Sequence, residues 1–209
     1  MDVSPTNDPE VALMLAAKAD VPGAFDRLVV EVTPFLLRFL IRQCGQPDLA
    51  EDLAQETWLK LWRVRHDYRA GARFRTFLYR IAVNTHLNKV RSESYRATLS
   101  LDASSSVDGD ALGVLVEDPM LPPPESGLET EELRAAVRQA VDGLPTAQRA
   151  AVILLRYEEL SYEEIAETLD MSLQAVKSLL NRAKTHLASS LAHVHETGRA
   201  AIPAKGVRP

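Results

Sequence analysis

Three sets of side chains are spaced so that each could act as a unit. Near the C-terminal end, Gln174, Lys177, Ser178, Asn181, Arg182 and Thr185 recur at i, i+3, i+4, i+7, i+8 and i+11, the repeat of one helix face. Amides, hydroxyls and cations at that spacing can donate to base edges in a duplex groove and to phosphates, whereas a solvated face ordinarily carries Glu–Lys pairs. Arg80, Asn84, Asn88 and Arg91 form a second stripe, with Phe74, Phe77 and Tyr79 at its start. Cations beside flat rings suit unpaired bases, which stack on the rings while the cations hold the backbone. Phe74 and Phe77 would equally well fill a core. The third set lies in "DLAQETWLKLW", where Asp52, Gln55, Glu56 and Leu59 share a face with Trp62 at its edge. Ala50, Leu53, Ala54, Thr57 and Leu61 form the opposite face and commit it to a core. The acidic face is then either solvated or the seat of another protein.

The elements that must carry these sets are helical almost throughout, with no convincing strand pair. Asp8 before Pro9 and Glu10 starts a helix through "EVALMLAAKA". A second helix is expected from about Pro22 to Cys44, ending at Gly45. A third begins near Pro47–Asp48, with Glu51 placed to close a capping box on Asp48. A fourth spans roughly Ala72 to Tyr95. Periodicity then collapses in "TLSLDASSSVDGDALGVLVEDPMLPPPESG", rich in Ser, Asp, Gly and Pro. Helix resumes after a Ser126–Glu129 capping box, and Pro145 opens the next helix, to Tyr157. Ser161 with Glu164 forms a further box. The last helix starts at Ser172, with Leu173, Val176, Leu180, Ala183, Leu187 and Leu191 as its core stripe, and ends near His195.

These elements divide the chain into an all-α first domain (1–97), an acidic linker (98–127), a helix-turn-helix domain (128–196) and a loose tail (197–209). A linker of this composition is extended, so the spacing between the two helical domains is expected to be unfixed.

Charge is distributed unevenly along this division. Residues 1–59 hold ten acids and four bases, but 60–97 hold ten bases against Asp67 and Glu93. Residues 98–127 have six acids and no base, and from Ser172 onward six bases face Glu196 alone. Two basic islands in a chain of net charge −5 can neutralise phosphates locally. The single cysteine, Cys44, excludes an intramolecular disulfide, and no apolar run approaches bilayer-spanning length. A cytoplasmic protein is expected. No metal-ligand spacing, phosphate-binding glycine loop or nucleophile–base set is present, so neither an enzyme nor a cofactor is expected. His193 and His195 face apart on a helix, and with His186 they make no metal site.

The three sets together resemble the extracytoplasmic-function group of bacterial RNA polymerase sigma factors. "DLAQETWLKLW" is similar to the group's polymerase-binding helix, and "FRTFLYRIAVNTHLNKVR" to the segment that melts and reads the minus-ten element. "LPTAQRAAVILLRYEELSYEEIAETLDMSLQAVKSLLNRAKTHL" resembles the domain that reads the minus-thirty-five element.

The resemblance implies that Asp52, Gln55, Glu56, Leu59 and Trp62 dock on an arginine-rich coiled coil of the polymerase clamp. It implies minus-ten contacts from Phe74, Arg75, Phe77, Arg80, Asn84, Asn88 and Arg91. It implies minus-thirty-five contacts from Gln174, Lys177, Ser178, Asn181, Arg182 and Lys184. The implied partners are core polymerase (clamp and flap), promoter DNA and, in regulated members, an anti-sigma factor. The family's connector threads the polymerase channels, which suits the acidic linker. The chain departs from the family pattern at Phe77, where tryptophan is usual, and at Asp170, where glycine is usual. Asp tolerates the left-handed turn conformation better than most residues. The rival reading is a dimeric helix-turn-helix regulator of duplex DNA that works without polymerase; it leaves the Asp52–Trp62 face and the aromatic-basic stripe without a purpose.

Overall fold

Helix boundaries follow the capping chemistry at several ends. The computed structural model describes residues 8–99 and 127–200. The first helix, α1 (Pro9–Lys18), starts where the Asp8 carboxylate accepts the Glu10 amide at 2.9 Å. That cap satisfies one of the orphan donors of the first turn. The other Asp8 oxygen accepts the Phe74 amide at 3.3 Å and so ties the start of α1 to the start of α4 (Phe74–Leu99). Helix α2 (Ala24–Cys44) stops at Gly45, whose φ of +73° lets its amide reach the Ile41 carbonyl at 2.8 Å. Pro34 lies inside α2 and removes the bond to the Val30 carbonyl, on the exposed side of the helix where Val30 is 74% exposed.

One expected cap is not formed. Helix α3 (Pro47–Val64) takes Gln46 as its N-cap, with no side-chain hydrogen bond, and Asp48 lies inside the first turn. Pro47 explains the shift. It has no amide to satisfy and its φ is already helical, so the helix begins before Asp48 can cap it. Asp48 acts on the helix dipole instead of on an amide. The expected Ser126 cap falls outside the described residues.

The second unit comprises α5 (Gly127–Asp142), α6 (Thr146–Arg156), α7 (Tyr162–Leu169) and α8 (Leu173–Ala200). A full capping box holds the start of α7: the Ser161 hydroxyl accepts the Glu164 amide, and the Glu164 carboxylate accepts the Ser161 amide. Helix α8 continues past the expected end near His195 to Ala200. Among the described residues there is no strand, and no helix is long and apolar enough to cross a membrane.

The expected independence of the two units is not what the structure holds. Leu36, Phe39 and Leu40 of α2, Leu53 and Leu61 of α3 and Leu78 of α4 belong to one apolar cluster with Ile153 and Leu154 of α6, Ile165 of α7 and Val176 of α8. Helix α7 packs on α4 and α6 packs on α2. Burial of apolar area contributes about 25 cal/mol per Å², so two units with matching apolar faces close on each other once tethered.

Several polar groups at the seam are paired. Gln43 donates Nε2 to the Thr146 carbonyl at 3.0 Å, and Arg149 donates to the Gln43 carbonyl at 3.2 Å. The Tyr79 hydroxyl donates to the Glu158 carboxylate, which also lies 3.9 Å from Arg42. Burial, with Glu158 alongside, pushes the Tyr79 phenol far above its usual range and keeps it a proton donor.

His86 of α4 is buried near the same seam, and its Nδ1 lacks a hydrogen-bond partner. Burial lowers its pKa below the ordinary 6.5, and Arg149 and Lys89 add to the effect against Glu93. The unfolded chain therefore binds the proton first, so this contribution to stability is present above about 6.5 and is lost as pH falls through the folded value. Urea midpoints followed from pH 7.5 to 5 should fall less steeply in His86→Gln than in the wild type; equal slopes would remove His86 as the cause.

Candidate functional site

The face of α3 that carries the carboxylates is open. Asp52, Gln55, Glu56, Leu59 and Trp62 are all exposed, while Ala50, Leu53, Ala54, Thr57 and Leu61 are buried. Trp58, absent from the sequence-derived core face, is buried as well and meets Phe25 edge-on at 6.0 Å. Leu59 is 56% and Trp62 44% exposed, unusual for such large apolar groups. The Trp62 ring is held in place by Phe25, at 4.8 Å between centroids, and by the Arg65 guanidinium 3.7 Å above it. Arg65 is itself anchored to Asp20 at 3.0 Å. The ring is thus presented with little rotamer freedom left to lose on contact, which favours binding.

The carboxylates of this face have only loose partners. Glu56 pairs with Lys60 at 2.8 Å and Asp52 with Lys89 at 3.9 Å, the carboxylates exposed and the lysines half-buried. Such pairs contribute about 0–1 kcal/mol, so an incoming bidentate cation exchanges with them readily.

On α4 the expected minus-ten residues divide into two groups, with Phe77 between them. Arg80, Asn84, Asn88 and Arg91 stand exposed in one stripe. Phe74 is fully buried and packs edge-on against Tyr68 at 6.3 Å. Arg75 donates to both Glu10 oxygens, at 2.6 to 3.1 Å, and lies 3.6 Å above the Phe35 ring. These two side chains orient the start of α4 in this arrangement. Phe77 is half-buried, 5.2 Å from the Tyr68 ring, with the Arg80 guanidinium 5.6 Å from its centroid.

Phe77 and Arg80 line a cleft of about 350 Å³ together with Arg69, Arg73 and Thr76, and Glu167 of α7 reaches the cleft from the other unit. Arg69 and Arg73 were not singled out in the sequence. The signal was present in "YRAGAR", a glycine-containing loop with an arginine on either side, but only the fold brings it against Phe77.

The outer face of α8 is open from Gln174 to Thr185. Gln174, Lys177, Ser178, Asn181, Arg182, Lys184 and Thr185 are exposed, and Val176, Leu179 and Ala183 are buried. Leu173, Leu180, Leu187 and Leu191 are half-buried. The Ser172 hydroxyl accepts the Ala175 amide at 3.2 Å at the helix start. The turn before it needs a left-handed residue, and Asp170 supplies one at φ 52° and ψ 50°. Its amide and that of Met171 return to carbonyls of Glu167 and Ala166 and close the end of α7. Asp170 therefore performs the task for which glycine was the expected residue. Elsewhere, burial pushes the Cys44 thiol above its usual range, which disfavours a reactive thiolate.

Comparison with known proteins matches residues 28–96 to Sigma-70 region 2 and residues 134–187 to Sigma-70 region 4. The chain is 34% identical over 202 residues to the ECF RNA polymerase sigma factor SigE of Mycolicibacterium smegmatis, spanning 95% of this chain and 75% of that protein. It is 30% identical over 171 residues to the RNA polymerase sigma-H factor of Pseudomonas aeruginosa, spanning 80% and 86%. Among solved structures, the sigma factor RpoE of Bartonella quintana, in complex with the anti-sigma factor NepR, is similar with a TM-score of 0.59 at 26% identity, covering 81% of this chain and 98% of that one. CnrH, solved with the cytosolic domain of CnrY, shares the fold with a TM-score of 0.60 at 20% identity, covering 89% and 99%.

The Arg75–Glu10 contact has a consequence separable from DNA. Glu10→Gln should lower unfolding stability by about 1–3 kcal/mol, the range for a charge-assisted hydrogen bond, because it leaves Arg75 underpaired. Chemical denaturation checks this; an unchanged midpoint would free Arg75 from its structural task.

Proposed function

The chain belongs to the extracytoplasmic-function group of the sigma-70 family, and from that premise we propose which of its surfaces meets which partner. As a sigma factor it binds core RNA polymerase and directs promoter-specific initiation; it is not an enzyme. The open face of α3, with Asp52, Gln55, Glu56, Leu59 and Trp62, is assigned to the polymerase clamp. The carboxylates there meet cations and the two apolar groups supply desolvated area, the arrangement of an interface hot spot.

The stripe Arg80, Asn84, Asn88 and Arg91, with Phe77 at its head, is assigned to the minus-ten strand, and Phe74 and Arg75 to holding that stripe in position. Gln174, Lys177, Ser178, Asn181, Arg182 and Lys184 are assigned to the minus-thirty-five duplex, with α8 in the major groove. The flap of the polymerase is assigned to the second unit. By analogy with the NepR-bound relative, an anti-sigma factor is a further partner. The place of action is the cytoplasm, where polymerase and promoter are.

The observation that carries this reading is the exposure of Leu59 and Trp62 beside the carboxylates of Asp52 and Glu56 on a helix whose opposite face is buried. Asp52→Arg with Glu56→Arg should abolish capture by core polymerase in a pull-down while leaving the circular-dichroism melt within a few degrees of wild type. Retained wild-type affinity would remove α3 from the interface.

On α8, Asn181→Ala and Arg182→Ala should each cost about 1–3 kcal/mol of discrimination at one upstream base pair. Transcription from a promoter library with core polymerase reads this directly. Unchanged preference at every upstream position, in both variants, would leave those side chains with no role in base reading.

A further inference from the structure

The exposed ring of Trp62 is held by residues outside its own helix face, and the chain of contacts begins at the end of α1. There the Val21 amide returns to the Ala16 carbonyl at 3.0 Å and the Asp20 amide to the Ala17 carbonyl at 3.1 Å. This pair of bonds closes a helix only if the residue between the cap and Val21 is left-handed. Asp20 takes that position at φ 55°. Glycine is the usual occupant, and Asp tolerates the conformation while adding a carboxylate to the turn.

That carboxylate is used. Arg65, at the C-terminal cap of α3, donates Nε and Nη2 to one Asp20 oxygen at 3.3 and 3.0 Å. Its third nitrogen, Nη1, donates to the Trp62 carbonyl at 2.9 Å. With all three nitrogens engaged, the guanidinium is fixed over the Trp62 ring, 3.7 Å from its centre. A lysine could not replace it, because a single ammonium has neither the plane nor the fork. The Asp20 side chain is 61% exposed, so the ion pair adds little to stability. Its effect is positional. One cation already sits on the ring, so a second would meet like charge there, whereas Asp52 and Glu56 attract it. Trp62 and Leu59 are left to receive an apolar group.

We propose that Asp20 and Arg65 are positioning residues of the α3 docking face, which set Trp62 as an anchor for an apolar side chain of the clamp and do not themselves touch the partner. The proposal rests on the assignment of that face to core polymerase, and it adds the α1–α2 turn to what determines affinity. A side chain ordered in advance loses less freedom on binding; one that must be immobilised weakens affinity about three- to tenfold.

The test is a double-mutant cycle on affinity for core polymerase, read by biolayer interferometry. Arg65→Ala and Asp20→Gly, the second keeping a residue suited to the left-handed turn, should each bind about three- to tenfold more weakly than wild type. With Trp62→Ala present, neither should weaken binding further, because both act through the ring. A residue that only supported the fold, or that touched polymerase itself, would keep its effect in that background. Trp62→Leu should bind more tightly than Trp62→Ala; equal loss in the two would overturn the apolar anchor in favour of a cation from the partner. The chain has two tryptophans, so in a Trp58→Phe background all tryptophan emission comes from Trp62. Its subnanosecond depolarisation in the free protein should be small, and should grow in Arg65→Ala and Asp20→Gly. Wild-type affinity in both single variants, an undiminished loss beside Trp62→Ala, or an unchanged depolarisation would overturn the positioning role. Full capture of Asp52→Arg with Glu56→Arg would instead remove the docking face, and the positioning role with it. Lost capture in that variant, without coupling between Arg65 and Trp62, counts against the positioning role alone.

Discussion

The hydrogen bond from Tyr79 to Glu158 joins the two halves of this protein, and much of the remaining architecture is arranged around it. Tyr79 belongs to α4 and stacks at 4.5 Å on Phe39 of α2, so its ring lies in the core of the first unit while its hydroxyl reaches the second. A buried phenol requires a partner, since leaving the group unsatisfied costs about 1–3 kcal/mol. The carboxylate requires cations in turn, and Arg42 supplies one. The Tyr79–Glu158–Arg42 set is therefore complete only when the two apolar faces meet in one register. Apolar area drives the closure, and the polar groups select its geometry.

The same economy of faces recurs in α3, α4 and α8. Each buries one stripe and leaves another open. The open stripes differ in chemistry: carboxylates with Leu59 and Trp62 on α3, cations with Asn side chains and a ring on α4, short polar groups with cations on α8. The proposed assignment gives each inventory the task its chemistry suits: carboxylates for a basic protein surface, a ring with cations for an unpaired strand, short polar groups with cations for a duplex. Closure leaves the α3 and α8 stripes open and crowds only the head of the α4 stripe.

What the sequence determined by itself was the local content. The helical periods, the Asp8 and Ser161 caps, the Gly45 stop and the open stripes of α3, α4 and α8 follow from spacing and side-chain chemistry within a few turns, and each appears in the fold. Even the Asp48 capping box failed for a local reason, the preference of Pro47 for the first helical position. Only the tertiary structure decided the rest. That Arg75 faces Glu10 and Phe35, that Trp62 is clamped by Phe25 and Arg65, and that Glu167 reaches the Arg73–Arg80 cleft depends on residues far apart in the chain. A periodic pattern states which face is apolar but not which of several apolar faces it meets. The acidic, turn-rich segment after α4 reads as a spacer and so suggests separate domains. Whether two tethered units stay apart is set by the match of their surfaces, and that match exists only in three dimensions.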